Sequence, residues 1–298
     1  MKIISIGEIL WDVFEKEEHI GGATFNFSAH AAKLGHNALV VSAVGEDERG
    51  EGALQRMKEL GLSARFVRRT KEADTGHVTV FVDKDGQPDF TIHRPAAYDF
   101  PSLSESELQE IQSLKPEWIY FGTLAQLSPQ TRKATKQVIA ACPQAKRFYD
   151  INLRKDSYTA KLVRELMSDA THLKINDQEV IAVQELFGGE PRSIEAFCRV
   201  YTDKFNWQGV CVTRGESGCS VFLNGEFVEA RGYRVKVADT VGAGDAFAAA
   251  FVHGVGMRWS AQQTADFANR VGALVASRAG GVPDWNMEEA GKLSVSAE

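Results

Sequence analysis

The sequence has no long apolar run, and this absence excludes membrane-spanning proteins. No stretch of about 18 consecutive apolar residues occurs, so we predict no transmembrane helix. The amino-terminal segment MKIISIGEILWDVF is apolar but short, and Glu8 and Asp12 interrupt it, so it does not fit a signal peptide. We therefore expect a cytoplasmic protein without a membrane partner.

Cysteine and clustered positive charge are also scarce. The formal net charge is −6, and no dense run of lysine and arginine stands out. The electrostatic footprint of a nucleic-acid-binding protein is therefore missing. None of the cysteines forms a CxxC pair or has the partners of a zinc site, so we expect free thiols in a reducing compartment at Cys142, Cys198, Cys211 and Cys219.

What the sequence does contain is a regular alternation of short strands and helices. The chain has 298 residues, of which 44% are hydrophobic and 25% charged, enough to bury a large core. The alternation predicts βαβ units and a mainly parallel sheet covered by helices on both faces. We predict strands at 3–7, 38–44, 118–122, 147–151, 172–176 and 209–213, and helices at 24–35, 50–60, 129–141, 158–168 and 193–204.

Two predicted hairpins interrupt this alternation of strands and helices. Residues 77–93 alternate with period two around Asp85-Gly86, and residues 220–230 turn at Asn224-Gly225. Residues 10–20 are also extended, and together with the first hairpin they predict a small sheet that stands off the main one. The second hairpin extends the edge of the main sheet.

No segment rich in proline, glycine and serine divides the chain. We therefore predict one domain over residues 1–298. A lid formed by about residues 10–24 and 76–98 is inserted in it.

The most informative stretch is DTVGAGDAFAAAFVHG, residues 239–254. It fails as a dinucleotide-binding fingerprint, because Gly242 and Gly244 fit the first two glycines but the third position is Phe247. Asp266 lies at the right distance for the acidic residue of that fingerprint but falls in a helical pattern. No Walker A string occurs anywhere in the chain.

The physical chemistry of this stretch still indicates an anion site. Glycines let backbone N–H groups approach a ligand, and a helix start leaves N–H groups unpaired with a partial positive charge. Phosphate is the anion that such a helix start is expected to bind. Asp245 at this point is either functional or an ordinary N-terminal cap.

Several motifs in one order decide between these readings, because together they resemble the ribokinase-like (PfkB) carbohydrate kinases. Within that family the similarity is closest to bacterial fructokinases. The resemblance covers nearly the whole chain. Its motifs are GEILWDVF (7–14), GGATFNFSAHAAKLG (21–35), AVGEDERGEGALQRMKELGL (43–62), FGTLAQLSP (121–129), YDINLR (149–154), KINDQE (174–179), VTRGESG (212–218) and the stretch at 239–254.

The resemblance implies a three-layer α/β/α sandwich with a small β-sheet lid, and a phosphoryl transfer from ATP to a sugar hydroxyl. Asp245 would be the catalytic base. The loop of Gly242, Ala243 and Gly244 would be an anion hole, with the amides of Ala243, Gly244 and Asp245 facing the γ-phosphoryl group.

The resemblance also implies a sugar pocket, and most of its residues have a plainer alternative. Asp12 is otherwise a solvated loop acid, Asn26 a capping residue, and Arg154 a surface ion pair. Phe90 and Tyr98 either stack on the sugar or pack the lid hairpin. The implied sugar-binding residues are Asp12, Gly21, Gly22, Asn26, Phe90, Tyr98, Asn152 and Arg154.

For the nucleotide and the metal ions, the resemblance implies ATP, Mg²⁺ and K⁺ as cofactors. Glu179 would hold Mg²⁺ through water. Lys174 reads as structural, and helix packing is the alternative for Asn269 and Ala273. The nucleotide residues would be Asn176, Thr213, Gly215, Gly218, Asn269 and Ala273, and the monovalent cation would be held by Asp239, Val241, Val275, Arg278 and Gly280.

The substrate is expected to be unphosphorylated fructose, since no cluster for a second phosphate is evident. The alternatives are another sugar or nucleoside kinase, for example one that acts on 2-keto-3-deoxygluconate, and a non-catalytic sugar-binding regulatory protein. The string HRPAAYDF (93–100) departs from the RPGSAD-like string that many fructokinases have at the lid. A protruding sheet edge also favours a homodimer through the lid.

Overall fold

A nine-stranded sheet forms the centre of the computed structural model, which describes residues 1–82 and 88–293. Seven neighbouring strands are parallel, and a hairpin adds two antiparallel strands at one edge. In spatial order the strands are β13 (Glu226–Ala230), β12 (Cys219–Leu223), β11 (Gly209–Thr213), β10 (His172–Asn176), β9 (Lys146–Asp150), β8 (Trp118–Gly122), β1 (Lys2–Ile6), β4 (Asn37–Gly45) and β5 (Ser63–Thr70).

The central strands are apolar on both faces because helices cover both faces. In β8, Trp118 and Tyr120 face one hydrophobic cluster and Ile119 and Phe121 face the other. Phe27 stacks on Tyr120 with ring centroids 3.9 Å apart, so the first cluster is closed by an aromatic contact.

Two groups of helices form the outer layers, which confirms the expected three-layer α/β/α sandwich. The first layer contains α1 (Ala23–Lys33), α2 (Glu48–Glu59), α8 (Ala243–Gly256), α9 (Ala261–Ala276) and α10 (Met287–Lys292). The second contains α3 (Glu105–Leu114), α4 (Pro129–Ala141), α5 (Ala160–Asp169), α6 (Asp177–Leu186) and α7 (Ile194–Phe205).

A second, four-stranded sheet lies apart from the first, as the two irregular segments predict. Its strands in spatial order are β3 (Glu18–Gly21), β2 (Leu10–Val13), β6 (Gly76–Val82) and β7 (Pro88–Ile92). The predicted turn at Asp85-Gly86 lies outside the described residues. The hairpin of β12 and β13 turns at Asn224-Gly225 as expected, with positive φ at both residues.

Every predicted strand and helix is found within a few residues of its expected bounds, but β5, α3 and α10 are additional. The sequence of β5, SARFVRRT, has no apolar alternation, since it lies at the sheet edge. Its three arginines pair with Glu110, Glu107 and Glu51. All four cysteines are buried and free, and no helix among the described residues is long and apolar enough to span a membrane.

Candidate active site

Helix α8 begins with a glycine that no other residue can replace without displacement of its neighbours. Gly242 is the N-cap with φ +76°, and a Cβ at this position would lie 2.1 Å from the carbonyl oxygen of Gly281. No side chain caps this helix start. The N–H of Ala243 donates to the carbonyl of Thr240 at 3.3 Å, which leaves the amides of Gly244 and Asp245 as the better-placed donors for an anion.

Asp245 lies in the first turn of α8 and does not cap it, so the capping alternative is wrong. Its Oδ2 accepts a hydrogen bond of 2.9 Å from Nδ2 of Asn26, and both residues are buried. Asn26 is the fourth residue of α1 and is not a cap either, because the N-cap is Gly22. The starts of α1 and α8 therefore meet at one carboxylate.

The pKa of Asp245 is raised to about 7, chiefly by burial. The carboxylate of Asp150 also raises the pKa, whereas Lys174 and the hydrogen bond from Asn26 lower it. Glu8 adds a weaker upward effect. A carboxylate with a pKa near neutrality suits a general base, since it can both accept a proton and release it at physiological pH.

A buried ion pair lies behind the start of α8. Lys174 Nζ donates to Oδ1 of Asp150 at 2.8 Å, and the hydroxyl of Tyr120 donates to Oδ2 at 3.3 Å. Burial disfavours the charged form of Lys174, but Asp150 and then Glu179 outweigh it and raise its pKa above the ordinary value. A Cβ at Gly244 would lie 3.5 Å from Nζ, so the ammonium group borders the anion loop.

Glu179 lies at the start of α6 with both oxygens on backbone amides. Oε1 accepts from the N–H of Leu153 at 2.6 Å and Oε2 from that of Asn176 at 3.0 Å. Asn176 returns a capping bond to the N–H of Glu179 at 2.8 Å. Burial raises the pKa of Glu179, and Lys174 lowers it. Each oxygen keeps a lone pair, which fits contact with a metal ion through water.

The expected sugar side of the site lies beneath the small sheet. Asp12 is in strand β2 and not in a loop, and a Cβ at Gly21 would lie 2.7 Å from its Oδ2. Burial raises the pKa of Asp12 to about 6, and the positive charge of Arg154 lowers it. Arg154 is exposed and forms no ion pair within the described part of the chain, so the surface ion pair considered as its alternative is absent there.

Three further residues of the expected sugar site lie in different elements of the fold. Gly22 has φ +99°, and a Cβ there would lie 2.8 Å from the carbonyl of Glu8. Asn152 has φ +39° and follows β9, at the carboxyl edge where open α/β sheets hold ligands. Phe90 is in β7 and is 47% exposed, opposite Val80.

Tyr98 is different, because its ring is fully buried. It packs under the small sheet with Leu10 and Val78, and the guanidinium of Arg94 lies 5.5 Å from the ring centroid. No face of the ring is open to a sugar, so stacking is corrected to packing. The hydroxyl oxygen is buried without a hydrogen-bond partner in the described structure.

A cavity of about 560 Å³ opens on the other side of the anion loop. Five residues expected at the nucleotide line it, namely Thr213, Gly215, Gly218, Asn269 and Ala273. The amide of Asn269 is already engaged, because Nδ2 donates to the carbonyls of Ala230 and Arg231 at 3.2 and 3.3 Å. Asn176, in contrast, is not among the lining residues.

Several residues that line this cavity were not predicted from the sequence. Gly272 and Ala276 share a helix face with Asn269 and Ala273, and this stripe of small residues was a usable signal. Tyr233, Val235 and Val237 come from an irregular segment whose path has no sequence pattern. The buried acids Glu8 and Asp150 were also missed. They follow or end parallel strands, which was a usable signal.

Asp239 links two of the other residues expected to hold a monovalent cation, Val241 and Gly280. Its carboxylate accepts from the N–H of Val241 at 2.9 Å and from that of Gly280 at 3.0 Å. The carbonyl of Val275 accepts from the N–H of Arg278 at 3.0 Å. In the described residues, no group of three or more His, Cys, Asp and Glu side chains is placed to hold a metal ion. Carbonyl oxygens with one carboxylate are donors that suit a hard cation.

Comparison with known proteins accounts for nearly the whole chain. Residues 5–286 match the pfkB family of carbohydrate kinases. Probable fructokinase-5 of Arabidopsis thaliana is 26% identical over 307 residues, which cover 94% of this chain and 93% of that protein.

Solved structures of kinases have the same fold. A sugar kinase from Pyrococcus horikoshii in complex with ATP superposes with a TM-score of 0.80 at 24% identity and covers 94% of both chains. A 2-dehydro-3-deoxygluconokinase from Thermotoga maritima superposes with a TM-score of 0.83 at 21% identity and covers 98% of both chains. The fold is therefore ribokinase-like.

Proposed function

The chain belongs to the pfkB family of carbohydrate kinases, and we propose that it transfers the γ-phosphoryl group of ATP to a primary hydroxyl of fructose. The observation that carries this proposal is the Asn26–Asp245 contact at the uncapped start of α8. It puts a carboxylate with a pKa of about 7 beside free backbone donors, between a cavity of nucleotide size and the small sheet.

In this mechanism Asp245 Oδ accepts the proton of the sugar hydroxyl as the oxygen attacks the γ-phosphorus. The bond from that phosphorus to the β-phosphate oxygen breaks, and ADP leaves with the bonding electron pair. The amides of Gly244 and Asp245 and the ammonium of Lys174 stabilise the charge that develops on the equatorial oxygens of the phosphoryl group. Catalysis of this kind rests on positioning, and the fixed loop geometry at Gly242 supplies it.

Asp12, Gly21, Gly22 and Asn26 are proposed to orient the sugar, together with Asn152, Arg154 and Phe90. Thr213, Gly215, Gly218, Asn269 and Ala273 border the nucleotide, and Asn176 acts on it through Glu179. The small sheet then acts as a lid on a single domain and excludes water during transfer. A homodimer through this lid stays a prediction.

Two metal ions complete the proposal. Mg²⁺ would be held by ATP and by Glu179 through water, where it neutralises phosphate charge. K⁺ would be held by the carboxylate of Asp239 and the carbonyls of Val241, Val275, Arg278 and Gly280, where it fixes the segment that packs on Gly242.

One observation favours a second substrate. The guanidinium of Arg154 is exposed, faces the Asp12 side of the site and has no ion-pair partner in the described structure. A free guanidinium binds a carboxylate well. The sugar acid 2-keto-3-deoxygluconate, which carries one, is therefore the second candidate.

The test is ADP release with ATP and Mg²⁺, with and without K⁺, across fructose, ribose, 2-keto-3-deoxygluconate, adenosine and fructose 6-phosphate. Turnover on fructose supports the first candidate. Turnover on the sugar acid that is lost in Arg154→Met supports the second. No turnover on any member would contradict both.

A further inference from the structure

His30 lies on the face of α1 that carries Asn26, one helical turn later, and the site described so far does not use it. The imidazole is fully buried. Its Nε2 lies 2.9 Å from the carbonyl oxygen of Gly281, and its Nδ1 lies 3.0 Å from the indole nitrogen of Trp285. Both ring nitrogens therefore have one partner each.

These two partners fix the tautomer. A carbonyl oxygen only accepts and an indole N–H only donates, so Nε2 carries the proton and Nδ1 accepts. Burial lowers the pKa of His30 to about 4, so the ring is neutral at physiological pH. Trp285 thereby commits His30 to donate its hydrogen bond to Gly281.

Gly281 lies between two parts of the site, the contact of Asn26 with Asp245 and the anion loop at Gly242. A Cβ at Gly281 would lie 3.0 Å from Nδ2 of Asn26, the atom that donates to Asp245. On the other side, the carbonyl oxygen of Gly281 is the atom that excludes any side chain at Gly242. The position of this one peptide unit therefore affects both the base and the anion loop.

We propose that His30 is a positioning residue for phosphoryl transfer, which it serves by holding Gly281 against Asn26 and Gly242 through a tautomer that Gly281 and Trp285 fix together. This inference rests on the proposed function, in which Asp245 is the base. His30 touches neither substrate, so its loss acts on the alignment of the transition state and not on binding of sugar or ATP.

The test compares His30→Ala with His30→Gln, whose side-chain amide can still donate to Gly281. The control is His172→Ala, because His172 is an equally buried histidine at the amino end of β10. All are assayed well below their unfolding temperatures. We expect His30→Ala to lower kcat about 10- to 100-fold with little change in either KM. His30→Gln should recover most of this loss, and His172→Ala should lower stability but not kcat.

Trp285→Phe keeps the packing and removes the indole N–H. In this variant ¹⁵N NMR should show that Nδ1 of His30 has lost its hydrogen bond while Nε2 stays protonated toward Gly281, together with a smaller fall in kcat. A wild-type kcat in His30→Ala would overturn the proposal, as would a His30→Gln variant as slow as His30→Ala. If the wild-type protein turns over no sugar, the proposed function fails. The NMR result for Trp285→Phe still reports whether Trp285 donates a hydrogen bond to Nδ1 of His30.

Discussion

The α-helices in the described part of the chain begin in two different ways. Eight have a serine, threonine, aspartate or asparagine N-cap whose side chain accepts a backbone N–H. The other two, α1 and α8, begin at Gly22 and Gly242, which have no side chain to cap with. In α1 the N–H of Ala23 donates instead to Oε1 of Glu8 at 3.2 Å. These two helix starts are the ones that meet at Asp245.

The difference shows what the site requires of the chain. A capping side chain satisfies helix N–H groups within the protein, whereas a glycine start leaves them for a ligand. A glycine start also forgoes roughly a few tenths of a kcal/mol of helix stability relative to a side-chain cap. The chain gives up that stability only at the two starts that border the site, and the substitutions below test this division.

The largest effect is expected for Asp245→Asn. Asparagine can still accept the hydrogen bond of Asn26 but cannot take the proton of the sugar hydroxyl, so kcat should fall about 10²- to 10⁴-fold. Sugar binding, measured by calorimetry, should stay close to that of the wild type.

The same variant tests the raised pKa. The native carboxyl has a pKa raised from 3.8 to about 7, so its neutral form contributes stability at low pH that is lost as the pH rises through about 7. Asparagine cannot ionise. The unfolding temperature of Asp245→Asn should therefore exceed that of the wild type more at about pH 8 than at about pH 5.

Asp169→Asn, at the end of α5, is the control for kcat. A wild-type kcat in Asp245→Asn would show that Asp245 is not the catalytic base.

The next effect is expected for Gly242→Ala, in which the added Cβ meets the carbonyl of Gly281. We expect kcat to fall about 10²-fold, because the loop must shift away from its ligand. Gly35→Ala is a matched control, since Gly35 has φ +80° but nothing within 4 Å of its Cβ position. Both variants carry the left-handed strain, so only the clash separates them. Equal kcat values in the two variants would contradict the proposed role of the loop.

A smaller effect, in the pH dependence, is expected for Lys174→Met. The wild-type kcat should fall on the acid side with an apparent pKa of about 7 as Asp245 is protonated. Lys174 lowers the pKa of Asp245, so its removal should move this limb to higher pH. Asp150 raises it, so the double variant Lys174→Met/Asp150→Asn should move the limb back.

This double variant also avoids an unpaired buried carboxylate, which on its own costs about 3–5 kcal/mol. The measurement is kcat against pH for the wild type and both variants. A limb that stays in place in all three would show that the ion pair does not act on the base.

The sequence predicted the layers and most strands because burial on both faces leaves continuous apolar runs such as WIYFG. It did not predict β5, whose edge position removes that pattern. At the site, the motifs identified Asp245 and Asn26, but their contact joins residues 219 positions apart and depends on how α1 and α8 pack. The burial of Tyr98 and the pairing of Lys174 with Asp150 likewise depend on the assembled fold.

The smallest effect is expected at an ordinary helix start. In α9, Ser260 Oγ accepts from the N–H of Gln263 at 3.1 Å, and Oε1 of Gln263 accepts from the N–H of Ser260 at 3.0 Å. Ser260→Ala removes the cap and should lower the free energy of unfolding by about 1 kcal/mol, measured by urea denaturation, with kcat unchanged. Ser260→Gly should cost less, since glycine is tolerated at an N-cap.

The Ser260 variants and Gly242→Ala together compare a capped helix start with the uncapped start of α8. A capped start should tolerate loss of its side chain with a small change in stability and none in kcat. An uncapped start at the site should lose kcat when it gains a single methyl group. If Ser260→Ala lowered kcat as much as Gly242→Ala, the helix starts would not be divided by function, and the glycine at α8 would serve only the packing of Gly281.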